Sequence, residues 1–152
     1  MGSMEQPTAP ATDSAVRAAQ ELRVVFSRLR RRLRQTYDTD GLTPTQTSVL
    51  SRLSKDGPAS ASDLAAAERV RPQSMAATLA VLDERGLVLR RPDPGDGRRQ
   101  LVSLSDTGQA FLADCRRAGE EWLARSLQAH FTEQERQTVV EALALLDRLS
   151  DA

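Results

Sequence analysis

The apolar positions near the start of the chain follow the period of a helix. They are separated by gaps of seven, four, three and four residues, which places them on one stripe of a helix surface: Ala15, Leu22, Phe26, Leu29 and Leu33. Asp13 or Ser14 has a side chain suited to an N-cap, and Thr39-Asp40-Gly41 would break the helix. The pattern therefore predicts one long amphipathic helix that ends at about residue 36.

The next segment contains three helix starts. The sequence Thr-Pro-Thr-Gln at residues 43–46 predicts a capping box with proline at the first helical position, and Gly57 ends that helix. Ser60 predicts the cap of a short helix, and Pro72 opens a longer one that Gly86 ends. Two helices joined by about three or four residues, the second longer, are the outline of a helix-turn-helix.

After this helix pair the apolar period changes to two. Residues 87–91 and 101–104 are predicted to be short strands, because they are short runs rich in Leu and Val on either side of a segment with turn residues. Residues 92–100 are rich in Pro, Gly and Asp and are predicted to be a loop, with Asp96-Gly97 as its turn. A hairpin that directly follows a helix-turn-helix predicts a wing.

The last third of the chain is predicted to form two helices. Ser105 caps a long one with two apolar stripes, the first Phe111, Cys115, Ala118 and Trp122 and the second Leu112, Gly119, Leu123 and Leu127. A domain of this size has one core, so the second stripe is predicted to meet another subunit. A further capping box at residues 132–135 opens the final helix, in which Val139, Leu143 and Leu146 are predicted to be buried.

Composition excludes several classes of protein. The chain has 152 residues with 21 acidic and 21 basic side chains, which argues against a uniformly basic nucleic-acid coat protein. The single cysteine, Cys115, rules out an internal disulfide, and with His130 as the single histidine a metal site is not expected. No apolar run reaches the about 20 residues of a membrane span, and no signal peptide is recognised. We therefore expect a cytoplasmic chain without cofactor, metal or membrane contact.

Three stretches together resemble the multiple-antibiotic-resistance regulator (MarR) family of winged-helix transcription factors. LTPTQTSVL (42–50) is similar to the start of the family's second helix, RPQSMAATLAVLDERGLVLRRPDPGDGRRQLVSLSDTG (71–108) to its recognition helix and wing, and the long terminal helices to its dimerisation helices. The resemblance implies a mainly α fold with a small β-hairpin wing. It implies a single domain at 14–150, with the winged helix-turn-helix at 42–108 and dimerisation helices at 14–38 and 105–150. Residues 1–13 are expected to be a disordered tail, and Met1-Gly2-Ser3 looks like a cloning remnant.

The resemblance also implies that the helix beginning at Pro72 enters the major groove of DNA. Gln73 can pair with adenine through two hydrogen bonds, and Ser74 can bond a base or a phosphate. Ala77 and the methyl group of Thr78 can contact a thymine methyl. A polar first turn that only faces solvent is the alternative interpretation.

In the hairpin, Arg98 matches the arginine that family members insert into the minor groove, which concentrates negative potential where it is narrow. Asp96 is expected to help hold this arginine, and Arg99 is a second candidate contact. A flexible, charged loop tip is the alternative. Phosphate contacts are predicted at Ser60, Ser62, Arg71, Arg90 and Arg91, although a solvated surface position is an equal alternative for each.

The sequence thus predicts a homodimeric, sequence-specific regulator of transcription, expected to be a repressor, on a pseudo-palindromic operator with half-sites about 10 base pairs apart. As the family implies, a small aromatic or phenolic ligand is expected to release it, with Phe26, Tyr37 and Phe111 as candidate lining. The alternatives are an oxidant-responsive regulator acting through Cys115 and a winged helix that binds proteins. No catalytic constellation is recognised, so an enzyme is not expected.

The zero net charge conceals an uneven distribution. Residues 1–57 carry a net +3, residues 58–108 carry zero and residues 109–152 carry −3. Residues 85–99 nevertheless hold five Arg against two Asp. Positive charge is therefore concentrated at the predicted wing, and we expect weak binding to arbitrary DNA because little net charge is available for it.

Overall fold

The fold is known from a computed structural model that describes residues 9–37 and 39–151. Within these residues the order of elements is α1 (Asp13–Arg34), α2 (Pro44–Asp56), β1 (Ala59–Ser60), α3 (Ala61–Glu68), α4 (Pro72–Glu84), β2 (Val88–Asp93), β3 (Asp96–Leu104), α5 (Asp106–His130) and α6 (Glu133–Asp147). The predicted class, mainly α with a small hairpin, is confirmed. The chain divides into two compact units, residues 1–36 with α1 and residues 37–152 with all other elements. Residues 1–3 and most of the predicted tail lie outside the described residues.

Both predicted capping boxes are formed. At the start of α2, Gln46 N–H donates to the Thr43 hydroxyl at 3.2 Å and Thr43 N–H donates to the Gln46 side chain at 2.9 Å. At the start of α6, the corresponding distances for Thr132 and Glu135 are 3.2 and 2.8 Å. Each box satisfies two backbone N–H groups that a helix start leaves without a partner, so these starts follow from local sequence alone.

The start of α1 differs from its prediction. Thr12 is the N-cap, and its hydroxyl accepts the N–H of Ala15 at 3.4 Å. The expectation of Asp13 or Ser14 as the cap was therefore wrong. Asp13 lies in the first turn instead, where its negative charge complements the positive end of the helix dipole. No residue of α1 is buried, and Phe26 on its apolar stripe is 60% exposed.

The sheet has three antiparallel strands in the order β1-β3-β2. We call β2, β3 and the turn between them the wing. It is longer than predicted, because the ladder continues through Pro92↔Gln100 and leaves only Pro94-Gly95 as the turn. The prediction of a loop over residues 92–100 was thus wrong. Pro92 is tolerated because β2 is an edge strand, and both faces of the outer wing are exposed, so no apolar alternation marks it.

The hydrophobic core lies between α2, α3, α4 and the sheet. Its buried members are Leu42, Val49, Leu50, Leu53, Leu64, Ala65, Met75, Leu79, Leu82, Leu87, Val88 and Val102, with Phe111 and Leu112 of α5 packed against it. All twelve buried members fall between residues 42 and 102. The core therefore belongs to the winged helix-turn-helix and fixes α4 against it.

The start of α5 is anchored to the end of α4. The Ser105 hydroxyl accepts the N–H of Gly108 at 3.0 Å and donates to the Gly86 carbonyl, while Ser105 N–H donates to Leu87 O at 3.1 Å. A Cβ at Gly108 would lie 2.1 Å from the Leu87 carbonyl oxygen. Only glycine permits this approach, so the long helix leaves the winged domain in a fixed direction.

The apolar side of α6 is not covered within the described chain. Val139 is half-buried, Leu143 is 59% exposed and Leu146 is 36% exposed, so the prediction that these three are buried was wrong for the single chain. Val140 of the same helix is also more than half exposed, as is Leu149 just beyond its end. Within residues 37 and 39–151, no helix or strand packs extensively over this face. Among the described helices, none is both long and apolar enough to cross a bilayer.

Candidate nucleic-acid interface

The turn between α3 and α4 sets the direction of α4. Arg69 ends α3 with φ 55°, the left-handed conformation, and Val70 N–H donates to Ala65 O at 3.0 Å. A non-glycine residue in this conformation is uncommon and closes a helix within one residue. Pro72 then fixes the first residue of α4. The local sequence therefore produces a tight turn rather than a continuous helix.

Helix α4 buries one face and exposes the other. Met75, Leu79 and Leu82 have no exposed surface, at the spacing of one helix stripe. The predicted major-groove residues lie outside this stripe, with Pro72, Gln73, Ser74 and Ala77 exposed and Thr78 half-buried. The structure thus brings all five onto the accessible side of the first two turns.

The N-terminus of α4 also differs from the other described helices. Its N-cap Arg71 makes no side-chain cap hydrogen bond, whereas α1, α2, α3, α5 and α6 each have a Ser or Thr cap. The first N–H groups of α4 therefore lack a side-chain acceptor within the described chain. A helix start in this condition can donate to a phosphate oxygen, and the exposed Arg71 lies beside it.

Two aspartates shape the tip of the wing. Asp93 Oδ1 accepts the N–H of Gly95 at 2.9 Å, and Asp96 Oδ1 accepts the N–H of Arg98 at 3.0 Å. Asp96 therefore supports Arg98 through its backbone. The Arg98 side chain is exposed, and it forms no ion pair with any residue in the described ranges. A guanidinium in this state is available to an external anion.

Arg99 is placed differently from its neighbour. Its Nη2 donates to Ser60 Oγ at 2.7 Å and to Asp63 Oδ2 at 3.0 Å. Ser60 is buried and caps α3, so its hydroxyl already has partners inside the protein, while Ser62 is exposed. The predicted DNA contact of Arg99 and the predicted phosphate contacts of both serines stay predictions.

Arg90 and Arg91 follow each other on β2 but have different surroundings. Arg90 Nε lies 3.7 Å from Asp83 Oδ2 at the end of α4. Arg91 is exposed and forms no ion pair among the residues described. The Arg90 ion pair connects the base of the wing to α4, so its predicted phosphate contact would have to compete with Asp83.

One polar cluster was not foreseen from the sequence. Glu68 at the end of α3 accepts from Ser48 Oγ at 2.8 Å and from Arg52 Nε at 3.1 Å. Its side chain is only 12% exposed. The cluster joins α3 to α2 and thereby holds the helix-turn-helix against its supporting helix. The partners are 16 and 20 residues apart, so no local pattern identifies them.

The predicted ligand-lining residues are dispersed over the chain. Phe26 is exposed on α1, Tyr37 is half-buried after that helix, and Phe111 packs against the core. A separate groove of about 470 Å³ lies between the end of α2, the base of the wing and the start of α5. Leu53, Leu112 and Arg116 are among its lining residues, and none of the three predicted residues is.

Cys115 and His130, the remaining candidates, both belong to α5. Cys115 is half-buried on α5, and His130 is the last residue of that helix and is exposed. Within residues 9–37 and 39–151, no group of three or more His, Cys, Asp or Glu side chains could hold a metal ion. The oxidant response predicted for Cys115 stays an alternative prediction.

Comparisons with known proteins assign this arrangement to a family. The family model described as "MarR family" matches residues 42–99, which contain α2, α3, α4 and much of the wing. An uncharacterized HTH-type transcriptional regulator of Mycobacterium bovis is 39% identical over 139 residues, which is 91% of this chain and 96% of that protein. The chain belongs to the MarR family. The resemblance seen in the sequence is thereby confirmed.

Two further comparisons agree with this assignment. The crystal structure of a transcriptional regulator from Pseudomonas aeruginosa has a TM-score of 0.79 and 36% identity, covering 93% of this chain and 99% of that chain. The transcriptional repressor MdtR of Bacillus subtilis is 26% identical over 114 residues, 75% of this chain and 73% of MdtR. The MarR-family chain is therefore a DNA-binding transcriptional regulator with a winged helix-turn-helix, and its relatives are regulators rather than enzymes.

Proposed function

We propose that this MarR-family regulator is a homodimeric repressor that reads a pseudo-palindromic operator and is released by a small ligand. One observation carries the proposal. A single winged domain presents an exposed, uncapped start of α4 together with an unpaired, exposed Arg98 on the wing. A helix that reads the major groove and a wing arginine that enters the adjacent minor groove need this pair of features.

Specificity in the major groove is assigned to the first two turns of α4. Gln73 offers the amide that can pair with adenine through two hydrogen bonds, and Ser74 offers a hydroxyl for a base or phosphate. Ala77 and Thr78 present small apolar groups to thymine methyl groups. The buried stripe opposite supports this role, because it prevents rotation of the helix about its own axis.

The minor-groove contact is assigned to Arg98. Its guanidinium forms no ion pair with a carboxylate among the described residues. The hydrogen bond from Arg98 N–H to Asp96 restricts the backbone conformation near the tip of the wing. Phosphate contacts are assigned to Arg71 and to Ser62, both exposed at the helix-turn-helix. These contacts fix orientation without reading sequence.

Homodimer formation accounts for the uncovered apolar surface of α6. Val140 and Leu143, three residues apart on one side of α6, are each more than half exposed in the single chain, and such neighbouring apolar side chains mark an interaction surface. Charge adds to the argument, since residues 1–57 carry a net +3 and residues 109–152 a net −3. Two copies can therefore associate through apolar contact and through opposite charges.

The proposal that this regulator represses transcription is based on the name of a relative. MdtR is named a repressor, and we extend that role to this chain. Release by a ligand follows if a small molecule binds better to a dimer whose recognition helices are wrongly spaced. Phe26, Tyr37 and Phe111 remain the proposed lining for an aromatic or phenolic ligand.

Fluorescence anisotropy on duplexes from the DNA flanking this protein's own gene tests the proposal. We expect dissociation constants in the nanomolar range on one fragment, and binding that weakens steeply between about 50 and 300 mM salt. Gln73→Ala and Arg98→Ala should each weaken binding to that fragment by about 1–3 kcal/mol.

Arg125→Ala is the matched control, because it removes the same charge from an exposed position on α5, outside the winged domain. Its affinity should equal that of the unsubstituted protein. If every flanking fragment binds no better than a scrambled duplex of the same composition, the proposed function is wrong. If only Arg98→Ala is without effect, the assignment of the wing is wrong.

A further inference from the structure

Two consecutive arginines on β3 have different surroundings. Successive side chains of a strand point to opposite faces, so Arg98 and Arg99 diverge. Arg98 is exposed without an ion pair among the described residues, whereas Arg99 reaches back to the body of the winged domain. The sequence alone treats them as one basic pair, but the geometry separates their roles.

The contact of Arg99 is made to the N-terminus of α3. Its Nη2 lies 2.7 Å from Ser60 Oγ and 3.0 Å from Asp63 Oδ2. Ser60 is the N-cap of α3, and its hydroxyl also accepts the N–H of Asp63 at 3.2 Å. One nitrogen of Arg99 therefore joins the wing to the first turn of the helix-turn-helix.

This contact supports the wing where the sheet no longer does. β1 has two residues, and its ladder with β3 ends at the pair Ser60↔Leu101. Beyond that pair the wing is a two-stranded ribbon, a structure that is marginally stable on its own. Arg99 lies two residues further toward the tip than Leu101, and Arg98 is the next residue. The ion pair between Arg99 and Asp63 therefore attaches the ribbon to α3 at the residue next to Arg98.

We propose that Arg99 is a positioning residue for operator recognition, which fixes the wing against α3 so that Arg98 meets the minor groove while α4 occupies the major groove. Asp63 and Ser60 are its partners in this role, and Arg99 itself contacts no phosphate. The inference rests on the proposed DNA-reading function and specifies how the two reading elements keep a constant separation.

The exposure of the pair indicates how it should behave. The Arg99 and Asp63 side chains are 46% and 65% exposed, and ion pairs this exposed contribute little to stability. Substitutions should therefore leave the thermal midpoint of unfolding nearly unchanged. Their effect should instead be on affinity for the operator, because a wing without this attachment samples orientations in which Arg98 misses the groove.

The test is a double-mutant cycle with the full-length protein, measured by fluorescence anisotropy on the operator fragment over a salt series. Arg99→Ala and Asp63→Ala should each weaken binding by about tenfold, and the double variant by no more than either alone. The slope of log affinity against log salt should stay unchanged in all three variants, because no phosphate contact is lost. Arg98→Ala should cost less in the Arg99→Ala background than in the unsubstituted protein.

A charge-reversed double variant tests whether the ion pair between residues 63 and 99 can be restored. Arg99→Asp combined with Asp63→Arg should recover most of the affinity that Arg99→Asp alone loses, because the reversed pair can bridge the same two elements. Direct contact of Arg99 with DNA predicts the opposite pattern. Asp63→Ala would then tighten binding by removing a negative charge near DNA, and Arg99→Ala would lower the salt slope by about 0.9.

The remaining outcomes also decide the question. If Arg99→Ala and Asp63→Ala lower the thermal midpoint without changing operator affinity, the pair is only structural and the inference is wrong. If the unsubstituted protein binds no fragment specifically, the proposed function fails instead. If it binds specifically and all Arg99 variants bind equally well, the inference alone fails.

Discussion

Helices α4 and α6 have a similar amphipathic pattern but differ in how much of their apolar face is buried. They contain 13 and 15 residues, and both carry apolar side chains at helical spacing. In α4 the stripe of Met75, Leu79 and Leu82 has no exposed surface. In α6 the corresponding Leu143 and Leu146 are 59% and 36% exposed. An amphipathic pattern alone therefore does not predict whether the apolar face of a helix is buried by other elements of the same chain.

The difference between these helices distinguishes stability that comes from packing within one chain from stability that would come from association of two chains. The face of α4 is covered by α2, α3 and the sheet, and every buried core residue lies between positions 42 and 102. This part of the chain completes its own core. The face of α6 has no such cover in the described chain, and the proposed homodimer would make its contribution to stability depend on a second copy. We therefore expect variants in the two helices to respond differently to protein concentration.

The largest effect is expected from Leu79→Ala in α4. Removing a fully buried leucine side chain should lower the free energy of unfolding by about 2–5 kcal/mol. Urea denaturation followed by circular dichroism measures this change, and the loss should be the same at low and high protein concentration. A loss below about 1 kcal/mol would show that the α4 face is not packed as described.

The second effect is expected from Leu143→Asp in α6. The residue is 59% exposed in the single chain, so the winged domain should keep its fold. A charge placed in an apolar dimer interface should raise the dimer dissociation constant by about 100-fold or more. Analytical ultracentrifugation gives this constant. Gln137→Asp, an exposed polar position on the same helix, is the control, and equal behaviour of both variants would remove Leu143 from the interface.

The smallest effect is expected from substitutions in the two capping boxes, which should differ in how their effect on thermal unfolding depends on protein concentration. Thr43→Ala at α2 and Thr132→Ala at α6 each break one box and should each cost about 1 kcal/mol. The α2 variant should shift thermal unfolding equally at all concentrations. The α6 variant should shift it more at low concentration, where dimers dissociate. Scanning calorimetry over a range of concentrations compares them, and identical shifts would contradict the division drawn between α4 and α6.

Local signals predicted much of the fold. The boxes that begin at Thr43 and Thr132, the proline that opens α4 and the cap of α5 at Ser105 require only neighbouring residues, and all were predicted at the right positions. The same holds for the exposed first turns of α4, because the buried stripe can be read from its period.

Features that depend on distant contacts were not predicted. The Pro, Gly and Asp content of residues 92–100 predicts a loop, although the ladder pairs Pro92 with Gln100, and no apolar alternation marks these strands because both faces are exposed. The bond of Arg99 to Asp63 joins residues 36 positions apart, and no spacing rule connects them. The exposure of the apolar side of α6 in the single chain was not predicted, because an apolar stripe predicts a buried face but does not identify the surface that buries it.

Operator spacing tests the central claim most directly, namely that two α4 helices of one dimer read two half-sites. Once the bound fragment is narrowed to its pseudo-palindrome, about 5 base pairs are inserted between the half-sites, which moves them to opposite faces of the duplex. Anisotropy should then show affinity falling to that of a scrambled duplex, and an insertion of about 10 base pairs should restore part of it only if the dimer can extend. Unchanged affinity after the shorter insertion would contradict the account, because each winged domain would then bind DNA on its own.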